Sequence, residues 1–298
     1  MVKARTVNKR RRAIRNIRKI TRTMELIATA RFRRAAERAL AAGRYSDQLG
    51  QFVRRFNSAG VFQDFELWNG RSTVRNIRLL MLTANRGLCG GYNTSIVRLA
   101  AAHWQRLQAS GVGLQMEISG KRGISAMRFR GLPAAATFTH FDDRPKWQDV
   151  EVLADRYLQE FVDGQLDRLE VIYMRFDSLS RQTPAVETLL PLREVWGEGR
   201  NGTQESKREE IQYDYYPGPG ELAKVLLPAA FRARLYKCFC DAGASEQIAR
   251  MVSMRAATEN AETMLGQLNM MYNRARQTQI TSELLEVLSA AEALARQF

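Results

Sequence analysis

The chain has 298 residues, of which 45% are apolar, and it carries a formal net charge of +15 at pH 7. That apolar content can fill the core of one large or two ordinary domains, which excludes a chain that is disordered throughout. No apolar run approaches the roughly 18 residues of a membrane span, and three cysteines with two histidines show no recognisable zinc spacing. We expect a protein of a reduced, cytosolic compartment without a structural metal.

The N-terminal segment holds nearly all of the excess positive charge. Residues 1–60 contain 17 Lys and Arg residues against three acidic ones, which predicts an anionic partner for this segment. From Thr6 to about Asn57 the chain has no proline and follows a helical pattern. One apolar stripe along this helix, which we expect to be buried, consists of Ile14, Ile17, Ile20, Met24, Ile27 and Ala28.

The middle of the chain alternates between strand patterns and helix patterns. Buried-strand candidates lie at residues 77–83, 114–119, 136–141, 168–176 and 183–192, with helical segments at 94–108, near 121–130 and at 147–163. Strands that alternate with helices predict a mostly parallel sheet in an α/β domain. Residues 197–210 have almost nothing to bury and are predicted to form an exposed loop.

The C-terminal segment is predicted to form one very long helix. Its last proline is Pro228, which we place at the helix start, and no proline follows from Phe231 to the end. At roughly 1.5 Å per residue such a helix would be about 100 Å long, so it needs a partner along its length. Two runs of apolar residues step by three and four, as in a coiled-coil seam. The runs are Leu265, Leu268, Tyr272 and Ala275, followed by Ile280, Leu284, Val287, Ala291 and Leu294.

The two runs are out of phase, because the step from Ala275 to Ile280 is five residues. We therefore expect the polar run from Arg276 to Gln279 to face something other than the helix's own partner. Winding the terminal helices together would bury both apolar stripes. The predicted fold class is α/β, with a long antiparallel coiled coil of the N- and C-terminal helices flanking a central Rossmann-like α/β domain. The predicted divisions are residues 1–60, 70–196, 197–218 and 219–298, for the first helix, the α/β domain, an exposed connector and the second helix.

A glycine-rich loop at residues 86–91 follows a strand and opens a helix, which is where phosphate-binding loops lie. It fits neither standard glycine motif, so a tight strand-to-helix turn is favoured. Cys89 is expected to be a packing residue, because no acid or histidine lies near it in sequence to activate it. We find no convincing catalytic constellation and expect no catalytic residue, cofactor or metal site. An enzyme of the α/β domain would rest on this loop alone.

The basic run from Lys9 to Arg22 permits two interpretations. It could be a nucleic-acid patch, which makes a basic coiled-coil nucleic-acid-binding protein the alternative function. However, no aromatic residue interleaves with the charges to stack on bases. The charged outer face of a helix embedded in a larger assembly fits equally well.

Five collinear segments match a known family. They are KITRTMELIATARFRRA, NRGLCGGYN, VETLLPL, ASEQIARMVSMRAATENAETML and YNRARQTQITSELLEV. In these segments the chain resembles the gamma subunits of F-type ATP synthases, over nearly its full length. The resemblance implies a rotating shaft that couples ion-driven rotation of a membrane c ring to ATP synthesis or hydrolysis. It implies three alpha subunits, three beta subunits that carry the catalysis, an epsilon subunit and the c ring as partners, with no nucleic acid. It also implies a bacterial subunit, peripheral to the membrane at its cytoplasmic face.

The resemblance also implies partner contacts for individual residues. Contacts with the beta subunits are expected at Arg276 and Gln277, which match the pair that meets the catch loops, and at Thr281, Glu283, Met24 and Arg250. Contacts with the c ring and the epsilon subunit are expected at Tyr213, Asp214 and Tyr215. The chain departs from the family at Asn85, where an acid usually precedes the arginine of the glycine loop.

Overall fold

The structure, a computed structural model, describes residues 4–58, 60–197 and 218–295. Within these ranges two long helices, α1 (Ala4–Ser58) and α7 (Pro219–Ala295), enclose an α/β segment in the sequence. The strands between them are β1 (Asn76–Leu82), β2 (Gly113–Ser119), β3 (Ala136–Phe138), β4 (Arg168–Phe176) and β5 (Gln182–Leu190). The helices between them are α2 (Glu66–Asn69), α3 (Tyr92–Gln108), α4 (Lys121–Phe129), α5 (Trp147–Val162) and α6 (Arg193–Trp196). The predicted fold class is confirmed.

The five strands form one sheet in the order β3-β2-β1-β4-β5. The first four are parallel to their neighbours, and β5 pairs antiparallel with β4. The sequence therefore predicts the strands and the mostly parallel arrangement correctly, although β3 is shorter than expected. The one-turn helices α2 and α6 are not predicted. Apart from Gly197, the expected loop at residues 197–210 lies outside the described residues.

The start of α7 corrects one expectation. The helix begins at Pro219, and Pro228 lies inside it rather than at its start. A proline in a helix interior removes one backbone hydrogen bond and usually bends or breaks the helix. Here the flanking Ala223, Leu227, Ala230 and Phe231 are buried in the core of the α/β segment. This tertiary packing offsets the lost hydrogen bond.

Contacts divide the chain into two compact units. The first contains α1 as far as Ala28 and α7 from Met251, and the second runs from Thr29 to Arg250. Both units therefore contain part of each long helix. The division at residues 60 and 219 that we expect from the sequence remains a prediction.

The second unit buries apolar side chains on both faces of its sheet. On β1, Leu80 and Leu82 point into one cluster, while Leu79 and Met81 point into the other, as the two-residue period of a strand requires. The first cluster is covered by α5 and by the unit's parts of α1 and α7, and the second by α3 and α4. Alanines at 35, 39 and 42 pack on Cys240 and Ala244, so the two long helices approach closely in this unit. None of the described helices is long and apolar enough to cross a membrane.

Candidate partner-contact surfaces

In the first unit α1 and α7 run antiparallel. The hydroxyl oxygens of Thr21 and Thr258 are 2.9 Å apart, and the guanidinium of Arg11 lies 4.4 Å from the ring centre of Tyr272. Arg18 and Glu262 form an ion pair of 3.6 Å between these two contacts. Moving toward the N-terminus on α1 thus corresponds to moving toward the C-terminus on α7. This register places Ala4, the first described residue, opposite Ala275.

The α7 side of this helix pair is apolar, as predicted. Ala261 is buried, and the predicted seam residues Leu265, Leu268, Tyr272 and Ala275 are each partly buried while most of their neighbours are exposed. Their spacing of three and four residues keeps one face of the helix against α1. The first predicted run of the seam is confirmed.

The α1 side corrects the expectation for the apolar stripe. Partly or fully buried positions spaced by three and four are Ala4, Val7, Arg11, Ile14, Arg18, Thr21, Glu25 and Ala28. The stripe residues at 17, 20, 24 and 27 each precede one of these positions by a single residue, which turns them about 100° around the helix. They are exposed, Ile20 to 58% and Met24 to 39%. Of the predicted stripe, Ile14 and Ala28 thus lie in the seam as expected, whereas Ile17, Ile20, Met24 and Ile27 point away from the partner helix. The seam itself is rich in polar residues.

Beyond Ala275, no described residue of α1 lies opposite α7. Every side chain from Arg276 to Ser289 is exposed. Exposed apolar residues in this free end, as we call residues 276–295, are Ile280, Leu284, Leu285, Val287 and Leu288. The second predicted run of the seam thus finds no partner among the described residues.

The four predicted contact residues of the free end make local contacts. Thr281 donates its hydroxyl to the carbonyl oxygen of Gln277 at 2.9 Å, and Glu283 accepts a hydrogen bond from Gln279 at 2.9 Å. Both interactions stay within about one helical turn. Arg276 and Gln277 are exposed side by side at the first turn after the seam. The structure therefore brings together Arg276, Gln277, Thr281 and Glu283 on a helix segment that the rest of the described chain leaves uncovered.

Arg250, which belongs to the second unit, is engaged within the chain. Its guanidinium donates to the Glu246 carboxylate at 2.5 Å and lies 3.5 Å from the carbonyl oxygen of Gly87 in the glycine loop. Burial raises the pKa of Glu246, and the positive charge of Arg250 opposes that rise. Arg250 ties α7 to the loop that joins β1 and α3. A beta-subunit contact for Arg250 remains a prediction.

The glycine loop is a tight turn between β1 and α3, as predicted. Leu88 and Gly90 both have positive φ, and Asn93 accepts a hydrogen bond from the backbone N–H of Ala84 across the turn. Cys89 is buried, and burial raises the pKa of its thiol, which disfavours the reactive thiolate. Among the described residues no group of three or more potential metal ligands is present. The remaining predicted contacts, Tyr213, Asp214 and Tyr215, lie outside the described residues.

An antiparallel helix pair at the chain ends, with one helix continuing past the other and an α/β segment between them, defines a class of coiled-coil proteins that carry an inserted α/β domain. A family model described as ATP synthase matches residues 3–294. The chain belongs to that family.

Curated relatives show which member of the family this chain is similar to. The ATP synthase gamma chain of Rhodopirellula baltica is 45% identical over 294 residues, which cover 99% of both chains. The ATP synthase gamma chain of a Synechococcus strain is 34% identical, again over 99% of both chains. Two solved structures of Euglena gracilis mitochondrial ATP synthase share the fold at 18% identity. One, of the rotor, has a TM-score of 0.61 and coverage of 93% of this chain and 98% of its own. The other, described as OSCP/F1/c-ring, has a TM-score of 0.67 and coverage of 98% and 94%.

Proposed function

We propose that this chain is the central-stalk rotor subunit of an F-type ATP synthase. In this function it transmits ion-driven rotation of a membrane c ring to three beta subunits, where ATP is made or hydrolysed. The chain itself acts mechanically, and catalysis lies on the beta subunits. Its place is peripheral, at the cytoplasmic face of a bacterial membrane, with alpha, beta and epsilon subunits and the c ring as partners.

The observation that carries this proposal is the free end of α7. Residues 276–289 form a helix whose side chains are all exposed, including five large apolar ones. An isolated helix of this length is marginal in water, and exposed apolar patches usually mark interaction sites. A surrounding ring of subunits would cover both the apolar face of this helix, which carries the five large apolar residues, and its polar face. Arg276 and Gln277 lie where the helix pair ends and such an enclosure would begin.

The outward stripe of α1 is a second surface that a ring would cover. Ile17, Ile20, Met24 and Ile27 form a continuous exposed line in the first unit, with the seam on one side and the exposed basic residues Lys19 and Arg22 toward the other. Apolar residues at this spacing match the way one helix packs on another. Basic flanks suit acidic segments of a partner. We assign this stripe, with Met24 at its centre, to contacts with the beta subunits.

The alternative function, nucleic-acid binding by the basic N-terminal helix, has no support from the comparisons, since the family match includes that helix. Two of its arginines, Arg11 and Arg18, are also partly buried in contacts with α7. Fewer charges are then free to meet phosphates than the sequence count indicates.

The experiment that tests the proposal is co-expression with the alpha and beta subunits of the same source. We expect a complex with one copy of this chain per six-membered ring, with ATPase activity. Replacing Arg276 and Gln277 together by alanine should weaken assembly or coupled ATP turnover, because both side chains are exposed and free to meet the ring. Replacing Gln51 and Arg55 together by alanine, both exposed on the part of α1 that belongs to the second unit, is the matched control.

Three outcomes separate the parts of the proposal. Failure of the chain to join a ring, together with salt-sensitive binding to nucleic acid, would overturn the rotor function. Normal assembly and turnover of the Arg276→Ala, Gln277→Ala variant would remove the catch contact but leave the rotor function. A fall in activity for that variant alone, while the isolated variant keeps the parent's circular dichroism and melting temperature, supports both.

A further inference from the structure

The end of α4 presents a phenylalanine that nothing in the described chain covers. Phe129 is 93% exposed, and its neighbours Arg128 and Arg130 are exposed as well. We call these three residues the α4 tip. No ion pair or side-chain hydrogen bond of either arginine occurs within the described residues. Phenylalanine and arginine are both among the residue types enriched at protein interfaces.

The α4 tip is held in a fixed shape by its backbone. Gly131 has φ 70°, and the N–H groups of Gly131 and Leu132 donate to the carbonyl oxygens of Arg128 and Met127, both at 3.1 Å. This pattern is a Schellman motif, which ends a helix in one defined geometry. Met127 is fully buried, and Leu132 packs on the same core cluster. The backbone of the tip is therefore anchored on both sides, and its side chains can bind with little further ordering.

The stretch of sequence around the α4 tip is rich in basic residues. Residues 84–141 contain seven Lys and Arg residues and one acid, Glu117. Glu117 is buried and hydrogen-bonded to Arg78 at 2.8 Å and to Tyr157 at 2.7 Å, so it contributes no negative charge to the surface. The α3 and α4 layer thus repels cations and attracts an anionic partner. Charge complementarity defines the partner as acidic.

The tip also adjoins an open sheet edge. β3 pairs with β2 on one side and is the last strand of the sheet. Residues 134–139, which contain it, carry no charge, and their exposed positions alternate with partly buried ones. Charged residues commonly protect edge strands against pairing, and this edge lacks them. A partner segment on the tip can therefore extend its contact along β3.

We propose that the α4 tip docks an acidic surface of another polypeptide, with Phe129 in an apolar pocket and Arg128 and Arg130 paired with carboxylates at its rim. A rigid aromatic anchor framed by arginines is typical of protein interfaces. This inference rests on the proposed rotor function, which adds one condition. A lasting partner must turn with this chain, because each revolution would break a contact with a stationary subunit.

The test places the photo-reactive amino acid p-benzoylphenylalanine at position 129 of the chain in the purified, assembled ATP synthase. After irradiation we expect a cross-link to one rotor polypeptide, at a segment that contains Asp or Glu. Phe129→Ala should weaken binding of that polypeptide by roughly tenfold or more. Arg128→Gln with Arg130→Gln should also weaken binding of that polypeptide, and this loss should be larger at low salt than at high salt. Leu179→Ala with Arg181→Gln, exposed in the turn between β4 and β5, is the matched control and should have no effect.

Each other outcome decides against the proposal. A cross-link to lipid would make the tip a membrane contact, and a cross-link to a stationary subunit would contradict docking to the rotor. An assembled complex without any cross-link from position 129, with unchanged partner affinity of the variants, would overturn the inference and leave the rotor function intact. Failure of the unmodified chain to enter the complex would instead overturn the rotor function, and the inference with it.

Discussion

The two units of this chain use their apolar residues in opposite ways. The second unit buries Leu79, Leu80 and Met81 completely between helices on both faces of its sheet. The first unit leaves Ile17 and Ile20 exposed and places Arg11 and Arg18 in the seam between its helices. The Nε atom of Arg11 is even buried without a hydrogen-bond partner among the described residues. The second unit is therefore stabilised by its own core, whereas the first needs a partner to cover its apolar surface.

This difference between the units can be tested by removing one large apolar side chain from each. Leu80→Ala should destabilise the isolated chain by about 2–5 kcal/mol, because Leu80 is fully buried and a cavity remains. Ile20→Ala, at a site that is 58% exposed, should change the free energy of unfolding by about 0.5 kcal/mol or less. Chemical denaturation of both variants, followed by circular dichroism, measures the difference. Similar losses for the two variants would show that the first unit buries its own stripe.

The same contrast explains which parts of the fold the sequence could predict. Strand positions in the second unit follow from short apolar runs between helical patterns, and β4 was predicted to the residue. On α1 the apolar pattern predicts burial correctly for Ile14 and Ala28 and wrongly for Ile17, Ile20, Met24 and Ile27, because a large apolar side chain does not by itself mark the buried face. In a helix that works inside an assembly, two faces can be apolar or partly buried at once. The spacing 4, 7, 11, 14, 18, 21, 25 and 28 is visible in the sequence, but its polar members hide it.

Asn85 allows a second test of stability within the second unit. Its side-chain amide donates to the carbonyl oxygens of Thr139 and Phe141 at 3.0 and 2.9 Å and to the Asp142 carboxylate at 2.9 Å. The other side-chain atom, Oδ1, accepts a hydrogen bond from the backbone N–H of Lys121 at 3.1 Å, and an aspartate would keep that bond. The second carboxylate oxygen of an aspartate would instead face these three acceptors and repel Asp142. We expect Asn85→Asp to destabilise the chain by about 1–3 kcal/mol at pH 7. Thermal unfolding at several pH values measures this loss, which should shrink when the carboxylates are protonated.

A double-mutant cycle isolates the charge repulsion at this site. Asn85→Asp should cost less when Asp142 is already replaced by asparagine, because the second carboxylate is gone. Equal losses with and without Asp142 would mean that the two backbone carbonyl groups alone select asparagine. A smaller loss in the Asp142→Asn background would show that Asn85 and Asp142 act together, and would explain how this chain accommodates its departure from the acid that usually precedes the arginine.

A substitution at Met24 tests the first unit, and we expect a smaller effect on stability. In the isolated chain Met24→Lys should leave stability nearly unchanged, since the residue is on the exposed stripe. In the assembled complex an added cation there would pair with acidic beta-subunit segments and disturb coupling by several-fold. The measurement is ions pumped per ATP hydrolysed in membrane vesicles, with Met24→Leu as the control. A normal ratio for the lysine variant would contradict our assignment of the stripe to the beta subunits.

The partner contacts show where prediction from sequence ends. Arg276, Gln277, Thr281 and Glu283 share an exposed helix segment that directly follows the break in the seam, and that break is visible in the sequence as a change of phase. Arg250 lacks such a signal, and its link to Glu246 and the glycine loop depends on a fold that brings distant segments together. The α4 tip was missed because a single phenylalanine among arginines has no periodicity. Only its 93% exposure distinguishes it from a core residue.

The smallest expected effect concerns a buried acid of the second unit. Burial raises the pKa of Asp241 to about 6, although Lys237 pairs with it at 2.5 Å and Arg234 also lowers it. The ordinary value of 3.8 applies in the unfolded chain. Between these values the folded state binds more protons than the unfolded state, so the contribution of Asp241 to stability falls as pH rises from about 4 to 6. Above pH 6 this destabilising contribution is complete.

Asp241→Asn should remove that dependence without removing the hydrogen-bonding side chain. We expect the difference in free energy of unfolding between the parent and the variant to change across pH 4 to 6 and to be constant above pH 7. Other carboxylates, such as Glu187, have lowered pKa values and act in the opposite direction, so only the difference between the two proteins isolates Asp241. Urea titrations at half-unit pH steps measure it. A difference that is flat from pH 4 to 7 would mean that Lys237 keeps Asp241 ionised throughout, and that the pair, rather than burial, sets the charge in this part of the core.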